Sequence, residues 1–253
     1  MSAEPRTAIV TGAGSGIGAA VTARLRAEGL DVVGVDLSPP EATSTGPGAW
    51  HAVAADLTTP EGNETAVSAA LQRFGRIDTI VANAGAQHVA PIAEFPLERW
   101  NALLALMLTS PFLLARHAWP ELTARADGRF VAIASAHALV ASPFKAAYVS
   151  AKHGVLGLVK TLALEGAPHG LSACALCPGY VRTPLVEHQV AAQAQAHGLP
   201  EERVLEEVIL APQAVKRLIE PDEVAATVAF LVGPAGRAFT GAAVPMDHGW
   251  TAH

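Results

Sequence analysis

The sequence is poor in cysteine, in aromatic residues and in charge. Of its 253 residues, two are cysteine, 5% are aromatic and 16% are charged. Two cysteines cannot form a disulfide framework and are typical of a reducing compartment. A charged fraction well below the roughly 25% of average soluble domains leaves too little polar surface for a disordered or fibrous chain. The composition therefore predicts a globular chain with a large buried area.

A cationic surface and a membrane-spanning segment are also missing. Lys and Arg total 17 against 23 Asp and Glu, with no basic run, so we expect no nucleic-acid partner. The longest uncharged run, residues 7–23, is shorter than the roughly 18 apolar residues of a membrane span and contains four glycines. Residues 1–6 lack the pattern of a signal peptide. We therefore expect a cytoplasmic protein with no membrane partner.

Apolar, β-branched runs alternate with Ala-rich amphipathic stretches along the whole chain. We predict strands at 7–11, 31–36, 50–54, 77–83, 128–135, 171–177 and 243–247. Between them we predict helices, for example at 16–27, 59–74, 97–122, 148–165 and 221–231. This order is typical of a parallel sheet covered on both faces, so we expect one α/β domain over 1–253 with a doubly wound, Rossmann-like sheet. Segment 184–220 breaks the alternation, and we interpret it as a mobile helical lid.

Cys174 and Cys177 form a C-x-x-C, which is the spacing of a redox pair or of half a zinc site. Both lie in the apolar run 171–177, which we interpret as a buried strand. Residues three apart on a strand point to opposite faces of the sheet, so the two thiolates would not converge on one metal ion. We therefore expect no metal site.

The first predicted strand runs directly into a glycine-rich turn and then into a helix. Gly12, Gly16 and Gly18 let the backbone approach a pyrophosphate, whose charge is met by the N–H groups and dipole of the new helix. A bare structural turn is the alternative, because such a turn alone is a weak signal. Asp36 lies near the roughly 20-residue spacing at which a carboxylate reaches the adenosine ribose. The Asp36 carboxylate would repel the 2′-phosphate of NADP. Because the turn carries Ser15, no cation there offsets this repulsion, so we expect NAD rather than NADP.

The glycines are spaced G-x-x-x-G-x-G, and four further motifs follow them. These are Ala82-Asn83-Ala84-Gly85, Ser135, Tyr148-x-x-x-Lys152, and Pro178-Gly179 followed by Thr183. In order and spacing the set resembles the short-chain dehydrogenase/reductase family over essentially the whole chain. The resemblance implies a homotetramer in which Ser135, Tyr148 and Lys152 are catalytic. The cofactor-binding residues that it implies are Gly12, Ser15, Gly16, Ile17, Gly18, Asp36, Asp56, Leu57, Asn83, Ala84, Gly85, Tyr148, Lys152, Pro178, Gly179, Val181 and Thr183.

The Tyr148 and Lys152 pair also has a physical rationale. Residues at i and i+4 project from one face of a helix. A phenol of pKa ~10 is a poor base at neutral pH, and an adjacent ammonium stabilises its phenolate. Tyr148 would exchange the proton of a substrate hydroxyl during hydride transfer, while Ser135 hydrogen-bonds the same oxygen. For the Tyr-x-x-x-Lys spacing alone, an ordinary Tyr and Lys on a helix is the alternative.

Residues between these motifs narrow the substrate. Segments 87–91, 133–137 and 246–251 resemble the members of this family that act on D-3-hydroxybutyrate, and so does Lys145. Independently of that resemblance, a cation with neutral donors near the catalytic motif suits a small carboxylate. We therefore expect a short hydroxy acid as substrate. The substrate-binding residues that the resemblance implies are Gln87, His137, Lys145, Tyr148, Gln189 and Trp250.

Each of these assignments has a structural alternative. Lys145 could be a solvated loop lysine, His137 a structural histidine at a strand end, and Gln189 a residue of the lid surface. For Trp250 we favour a core or interface anchor over a wall of the substrate pocket, because large aromatic side chains dominate packing.

Three residues depart from the pattern of these family members. Tyr180 stands where tryptophan is common, and His248 stands where glycine is usual. Met107 occupies the position of the family's catalytic asparagine, which is understood to hold a water that joins the active-site lysine to solvent. A thioether accepts hydrogen bonds only weakly and cannot replace an amide. The proton relay of the family is therefore altered in this chain.

Three functions agree with the sequence. The first is an NAD-dependent dehydrogenase that interconverts D-3-hydroxybutyrate, or a close short-chain 3-hydroxy acid, and its 3-oxo acid. The second is a related dehydrogenase with a different range of alcohols. The third is an NAD-binding protein with little turnover, in which Met107 marks lost catalysis. The presence of Ser135, Tyr148 and Lys152 argues against the third function.

Overall fold

The chain folds around one parallel β-sheet. The computed structural model describes residues 5–40, 46–187 and 189–252. The parts of the predicted domain that lie outside the described residues are 1–4, 41–45, 188 and 253. Residue 188 belongs to the predicted lid. The strands are β1 (Thr7–Thr11), β2 (Asp31–Asp36), β3 (Trp50–Ala54), β4 (Thr79–Ala82), β5 (Arg129–Ile133), β6 (Ser172–Pro178) and β7 (Ala243–Met246). Their order in the sheet is β3-β2-β1-β4-β5-β6-β7.

The α-helices connect the strands and cover the sheet. They are α1 (Gly16–Ala27), α2 (Pro60–Phe74), α3 (Leu97–Leu104), α4 (Ser110–Ala124), α5 (Ala146–Gly166), α6 (Pro184–Glu187), α7 (Val190–His197), α8 (Glu201–Val204) and α9 (Pro221–Val232). The predicted strands 77–83 and 128–135 are longer than β4 and β5, since the apolar runs continue beyond the last paired residues into the turns that form the site.

Two apolar cores lie on opposite faces of the sheet. In β1, Ile9 packs into the core that α2, α4 and α5 cover, whereas its neighbours Ala8 and Val10 pack into the core of α1 and α9. Side chains alternate across a strand, so a sheet covered on both faces needs strands that are apolar at every position. The structure thus has the doubly wound architecture that the alternation of strands and helices predicts.

The two cysteines illustrate the same alternation. Cys174 lies in the core of α1 and α9, and Cys177 lies in the opposite core. Both thiols are free, and burial raises the pKa of Cys177 to about 11. Among the described residues, no group of three or more His, Cys, Asp or Glu side chains is placed to hold a metal ion. The C-x-x-C is therefore part of the packing of β6.

The helix predicted at 97–122 is interrupted, which corrects that prediction. A π-turn, Ala105–Thr109, joins α3 to α4, and the helical segment ends at Ala124. A π-turn adds one residue to a helix, and an apolar sequence gives no sign of it. The segment Leu97–Ala124 is long and apolar enough to cross a membrane by length and composition. Core helices pass the same test, and α4 packs against α2 and α5 here.

The segment predicted as a lid is helical. It contains α6, α7, α8 and a second π-turn, Leu205–Ile209. Its buried side chains, among them Val186 and Val204, pack with Tyr180 and Trp250 in a third apolar cluster. This cluster attaches the segment to the carboxyl-terminal end of the sheet, where it covers the turn after β6.

Ala126 provides a test of this backbone. It is exposed and follows α4 with a φ of 51°, a left-handed conformation that L-residues adopt at a cost. Ala126→Gly should raise the free energy of unfolding by about 1 kcal/mol, because glycine adopts this conformation freely. The matched change at exposed Ala124, the last residue of α4, should lower it by about 0.5 kcal/mol. Urea denaturation measures both, and a less stable Ala126→Gly variant would contradict this account.

Candidate functional site

The carboxyl-terminal ends of the central strands open into one cleft with a volume of about 320 Å³. Strand order reverses between β1 and β4, so the helices that follow them leave on opposite faces and a crevice remains between them. The residues that line the cleft are Gly12, Ser15, Gly16, Ile17, Asp36, Asn83, Gly85, Gln87, Ile133, Ala134, Ser135, His137, Lys145, Tyr148, Lys152, Pro178, Gly179, Tyr180, Val181, Thr183, Pro184, Leu185, Val186, Gln189 and Trp250.

In the glycine-rich turn, the backbone at the start of α1 lies unusually close to the backbone that follows β1. Gly12 has a φ of 66°, and a Cβ on Gly18 would stand 2.0 Å from the Gly12 carbonyl oxygen. Only glycine at 18 therefore allows α1 to begin so close to β1. Ser15 gives α1 no side-chain cap, and the first turn of the helix contains no acidic residue. The N–H groups of that turn and the positive end of the helix dipole are left for an anionic ligand.

Asp36 ends β2 beside the same turn. Its carboxylate accepts hydrogen bonds from the backbone N–H of Gly14 (2.9 Å) and of Ser38 (3.3 Å). Among the described residues that line the cleft, the lysines and arginines are Lys145 and Lys152, and both belong to the far part of the cleft around β5 and α5. The wall beside Asp36 is therefore acidic.

The end of the cleft away from Asp36 is formed by β5 and α5. Ser135 follows β5 and is hydrogen-bonded to Tyr148. The Lys152 ammonium donates to the carbonyl of Ile133 at 2.7 Å and lies 5.5 Å from the centre of the Tyr148 ring. Helix α5 thus places the phenol and the ammonium on one face, beside the hydroxyl of Ser135.

Burial dominates the electrostatics of this pair. It lowers the pKa of Lys152 to about 8. It also raises the pKa of Tyr148, which the hydrogen bond to Ser135 partly offsets. From the sequence we expect the ammonium to make Tyr148 more acidic, but in the structure the loss of hydration on burial is the larger effect. The phenol is therefore protonated at neutral pH.

Lys145 is buried, which overturns the alternative of a solvated loop lysine. Its side chain is 2% exposed, and its ammonium donates to the Tyr180 hydroxyl at 2.8 Å. The same nitrogen lies 4.9 Å from the centre of the Tyr180 ring. Burial lowers the pKa of Lys145 to about 8. A cation with a neutral partner is thus held inside the cleft.

His137 lies between Ser135 and Lys145 in the chain and is buried as well. Its Nε2 is 2.9 Å from the Ser142 hydroxyl, and its Nδ1 is 3.4 Å from the Ser135 hydroxyl. Burial and the Lys145 ammonium lower the pKa of His137 to about 3, so the imidazole is neutral at physiological pH. His137 therefore lies in the cleft as a neutral hydrogen-bonding group, between the two hydroxyls.

Trp250 lies both in the apolar cluster of the lid and at the wall of the cleft. Its ring stacks on Tyr180 at 5.6 Å and meets the edge of His137 at 4.9 Å. Gln189 likewise lines the cleft: its Nε2 donates to the carbonyl of Leu185 at 2.7 Å, and its buried Oε1 has no hydrogen-bond partner among the residues that the structure describes. It is not a residue of the lid surface.

The remaining residues predicted at the site fall into two groups. Gln87 lines the cleft, and its side-chain oxygen accepts from the N–H of His88. Four predicted cofactor residues do not line it, namely Gly18, Asp56, Leu57 and Ala84. Gly18 acts through its close approach to Gly12, and Ala84 through a bond from its N–H to the Thr11 hydroxyl. Leu57 is buried in a core, and the Asp56 carboxylate accepts from Thr58.

Sequence reasoning missed several residues at the site. Leu185 and Val186 line the cleft, and the carbonyl of Ile133 holds Lys152. The signal that could have identified Leu185 and Val186 is that they form an apolar pair directly after Thr183 and Pro184, at the start of the predicted lid. Nothing in the sequence marks Ser142, since its role depends on the orientation of the His137 ring.

Two departures from the family pattern have structural consequences. Met107 is buried in the middle of the π-turn and packs with Leu103, Ala147 and Ala151. Its sulphur lies 3.5 Å from where a Cβ on Gly85 would stand, so an apolar side chain lies against the turn after β4. His248 adopts a φ of 54°, which explains why glycine is usual at its position, and its Nδ1 bonds to the carbonyl of Arg217.

Comparisons with known proteins agree with this geometry. A family profile described as "short chain dehydrogenase" matches residues 6–194. D-beta-hydroxybutyrate dehydrogenases from Rhizobium meliloti and Cupriavidus necator are each 42% identical and cover 98% of this chain and 99% and 98% of their own. A ligand-free structure of Thermoplasma acidophilum aldohexose dehydrogenase superposes with a TM-score of 0.87 at 28% identity, over 99% of this chain and 95% of that one.

Proposed function

We propose that this chain, which belongs to the short-chain dehydrogenase family, interconverts D-3-hydroxybutyrate, or a close short-chain 3-hydroxy acid, and its 3-oxo acid with NAD. Membership makes it an oxidoreductase that acts on a CH–OH group. The observation that carries the narrower proposal is the buried ammonium of Lys145 in the same cleft as Ser135, Tyr148 and Lys152. A buried cation favours an anionic partner, and the carboxylate of a 3-hydroxy acid, one methylene away from the reacting carbinol, supplies one.

The relatives support the same substrate class. Two proteins that are 42% identical over nearly the full chain are named D-beta-hydroxybutyrate dehydrogenases. All six residues that the sequence assigns to the substrate line the cleft, and these are Gln87, His137, Lys145, Tyr148, Gln189 and Trp250. A carboxylate near Lys145 would place the carbinol of a short acid towards Ser135 and Tyr148.

The cleft has the features that a nicotinamide dinucleotide requires. The close approach of Gly12 and Gly18 leaves the backbone bare where a pyrophosphate would lie, and the uncapped start of α1 faces that point. Asp36 would accept from the hydroxyls of the adenosine ribose. A nicotinamide dinucleotide held by these residues would supply hydride transfer to or from the carbinol carbon.

The proton chemistry belongs to the side chains of β5 and α5. In oxidation the phenolate form of Tyr148, reached when the resting phenol loses its proton to solvent, takes the proton of the substrate hydroxyl, and in reduction the phenol donates it. The Ser135 hydroxyl donates to the same substrate oxygen, where negative charge develops. The Lys152 ammonium, held by the carbonyl of Ile133, favours the phenolate form that accepts the proton. The two lysines therefore act on different atoms, Lys145 on the carboxylate and Lys152 on the phenol.

Assembly and location form part of the proposal. Phe112 on α4 and Leu164 on α5 are large apolar side chains that this chain leaves exposed. Apolar surface of this kind supports a homotetramer in which these helices pack between subunits. The low cysteine content supports a cytoplasmic location.

Met107 favours a second candidate, an NAD-binding protein of slow turnover. The buried thioether stands beside Gly85 in place of an amide, and it cannot hold a water by strong hydrogen bonds. This candidate differs from the first in rate and not in the ligands it binds. The two are separated by the turnover of the unmodified protein and by restoring an amide at position 107.

Removing the Lys145 charge tests the substrate. The unmodified protein should oxidise D-3-hydroxybutyrate with NAD, and Lys145→Met should raise KM for this acid at least tenfold, or by about 1.4 kcal/mol. KM for the uncharged isostere 3-hydroxybutyramide should change less than twofold. Lys160→Met, which removes an exposed lysine of α5, is the matched control. The measurement is steady-state formation of NADH. Equal changes in KM for the acid and the amide would show that Lys145 does not bind the carboxylate.

Cofactor preference depends on Asp36. The unmodified protein should prefer NAD to NADP in kcat/KM, because the carboxylate repels a 2′-phosphate. Asp36→Ala should reduce that preference at least tenfold. Ser38→Ala keeps the backbone N–H that bonds to Asp36 and should leave the preference unchanged. Comparable kcat/KM for both cofactors in the unmodified protein would refute NAD specificity.

An amide at position 107 tests the proton relay. If the thioether slows proton exchange with solvent, Met107→Asn should raise kcat for D-3-hydroxybutyrate about tenfold, equivalent to about 1.4 kcal/mol of barrier. The dissociation constant of NADH should stay within a few-fold, since cofactor contacts are unchanged. Met107→Leu, which keeps an apolar side chain, is the control, and thermal melting checks that both variants fold. An unchanged kcat in folded Met107→Asn would show that the proton leaves by another route.

A further inference from the structure

We propose that the Tyr180 hydroxyl binds the substrate carboxylate directly, so that Lys145 and Tyr180 together form a carboxylate clamp. This inference rests on the proposed function, because it assigns a further ligand to the same anionic group. The residues that family resemblance gives to the substrate do not include Tyr180, which stands where those relatives commonly carry tryptophan. The clamp is therefore a feature of this chain.

In the hydrogen bond between Lys145 and Tyr180, the hydrogen of the Tyr180 hydroxyl is not used. An ammonium only donates, so in the 2.8 Å bond between them Lys145 donates and the Tyr180 oxygen accepts. Burial raises the pKa of Tyr180, so the phenol keeps its hydrogen at neutral pH. That hydrogen has to point to another acceptor. A carboxylate has two oxygens, so one can accept from the ammonium while the other accepts from the phenol.

The Tyr180 ring is held in place before any ligand binds. It stacks on Trp250 with an angle of 4° between the ring planes, and the edge of His137 meets it at 89°. The side chain is 8% exposed and lines the cleft with Lys145. A hydroxyl fixed in this way loses little side-chain entropy when it binds a ligand, so its hydrogen bond contributes more of its energy to affinity.

Tryptophan could not form this clamp. Its indole N–H is a donor only and cannot accept from an ammonium. The phenol oxygen accepts from Lys145 and so stabilises the buried cation. The phenol hydrogen would donate to the carboxylate and so stabilise the bound anion. Hydrogen bonds to charged groups contribute roughly 1.5–3 kcal/mol, so loss of the hydroxyl should be measurable as a change in affinity.

The test compares a carboxylate with its neutral isostere. Tyr180→Phe removes the hydroxyl and keeps the ring that stacks on Trp250. We expect it to weaken acetate binding about tenfold, measured by calorimetry with and without NAD, and to change acetamide binding less than twofold. Tyr180→Trp keeps a donor, the indole N–H, but loses the oxygen that accepts from Lys145, so it should weaken acetate binding less than Tyr180→Phe does. If the phenylalanine variant does not fold, Tyr180→Trp still provides the measurement, since acetate should bind more weakly than to the unmodified protein while acetamide binding changes less than twofold.

The outcomes separate this inference from the proposed function. Equal loss of acetate and acetamide would show that Tyr180 only packs, and unchanged acetate affinity would show that its hydroxyl makes no contact. Failure of the unmodified protein to bind acetate more tightly than acetamide would overturn the clamp altogether. If acetate binding depends on Tyr180 but D-3-hydroxybutyrate is not oxidised, the clamp stands and the proposed substrate is wrong.

Discussion

The cleft depends on a set of hydrogen bonds between β1 and β4 at the point where their helices diverge. The regular pairing of these strands ends at Val10 and Val81. Beyond it, the Thr11 hydroxyl accepts from the N–H groups of Asn83 (2.9 Å) and Ala84 (3.0 Å), and the Asn83 side chain donates to the Thr11 carbonyl (2.8 Å). Side chains thus replace the backbone ladder. They fix the distance between the glycine-rich turn and the turn after β4, and every other wall of the cleft is placed relative to these two.

Charge is distributed unevenly along that cleft. Asp36 lies at one end, and the ammonium groups of Lys145 and Lys152 lie at the other, each bonded to an uncharged oxygen. Burial lowers the pKa of both lysines to about 8. Among the described residues neither ammonium is paired with a carboxylate, which is the reverse of a buried ion pair formed during folding. The charges in this part of the cleft therefore favour an anionic ligand.

The sequence predicts the bounds of a strand most reliably where turn residues such as Gly12, Pro39 and Gly48 lie close to the apolar run. The ranges of β1, β2 and β3 agree with the prediction, whereas β4 and β5, which are buried at every position, are shorter than the apolar runs that contain them. Local spacing also places Tyr148 and Lys152 together. The burial of Lys145 was not predictable, since its partner Tyr180 lies in a different part of the chain and meets it only through the fold of the lid. The orientation of His137 towards Ser142 depends equally on packing.

The π-turn at Ala105–Thr109 means that the helix beside the site could lose one residue without being broken. It holds one residue more than an α-helix of the same span, so loss of one residue there would let α3 and α4 join as an unbroken helix. Because the wide turn absorbs the extra residue, its loss would leave α3 and α4 facing their neighbours nearly as before. The change would be confined to the turn itself, where Met107 lies against Gly85. A one-residue deletion in this turn would thus restore the backbone bonds of a regular helix and reshape only the floor beside Gly85.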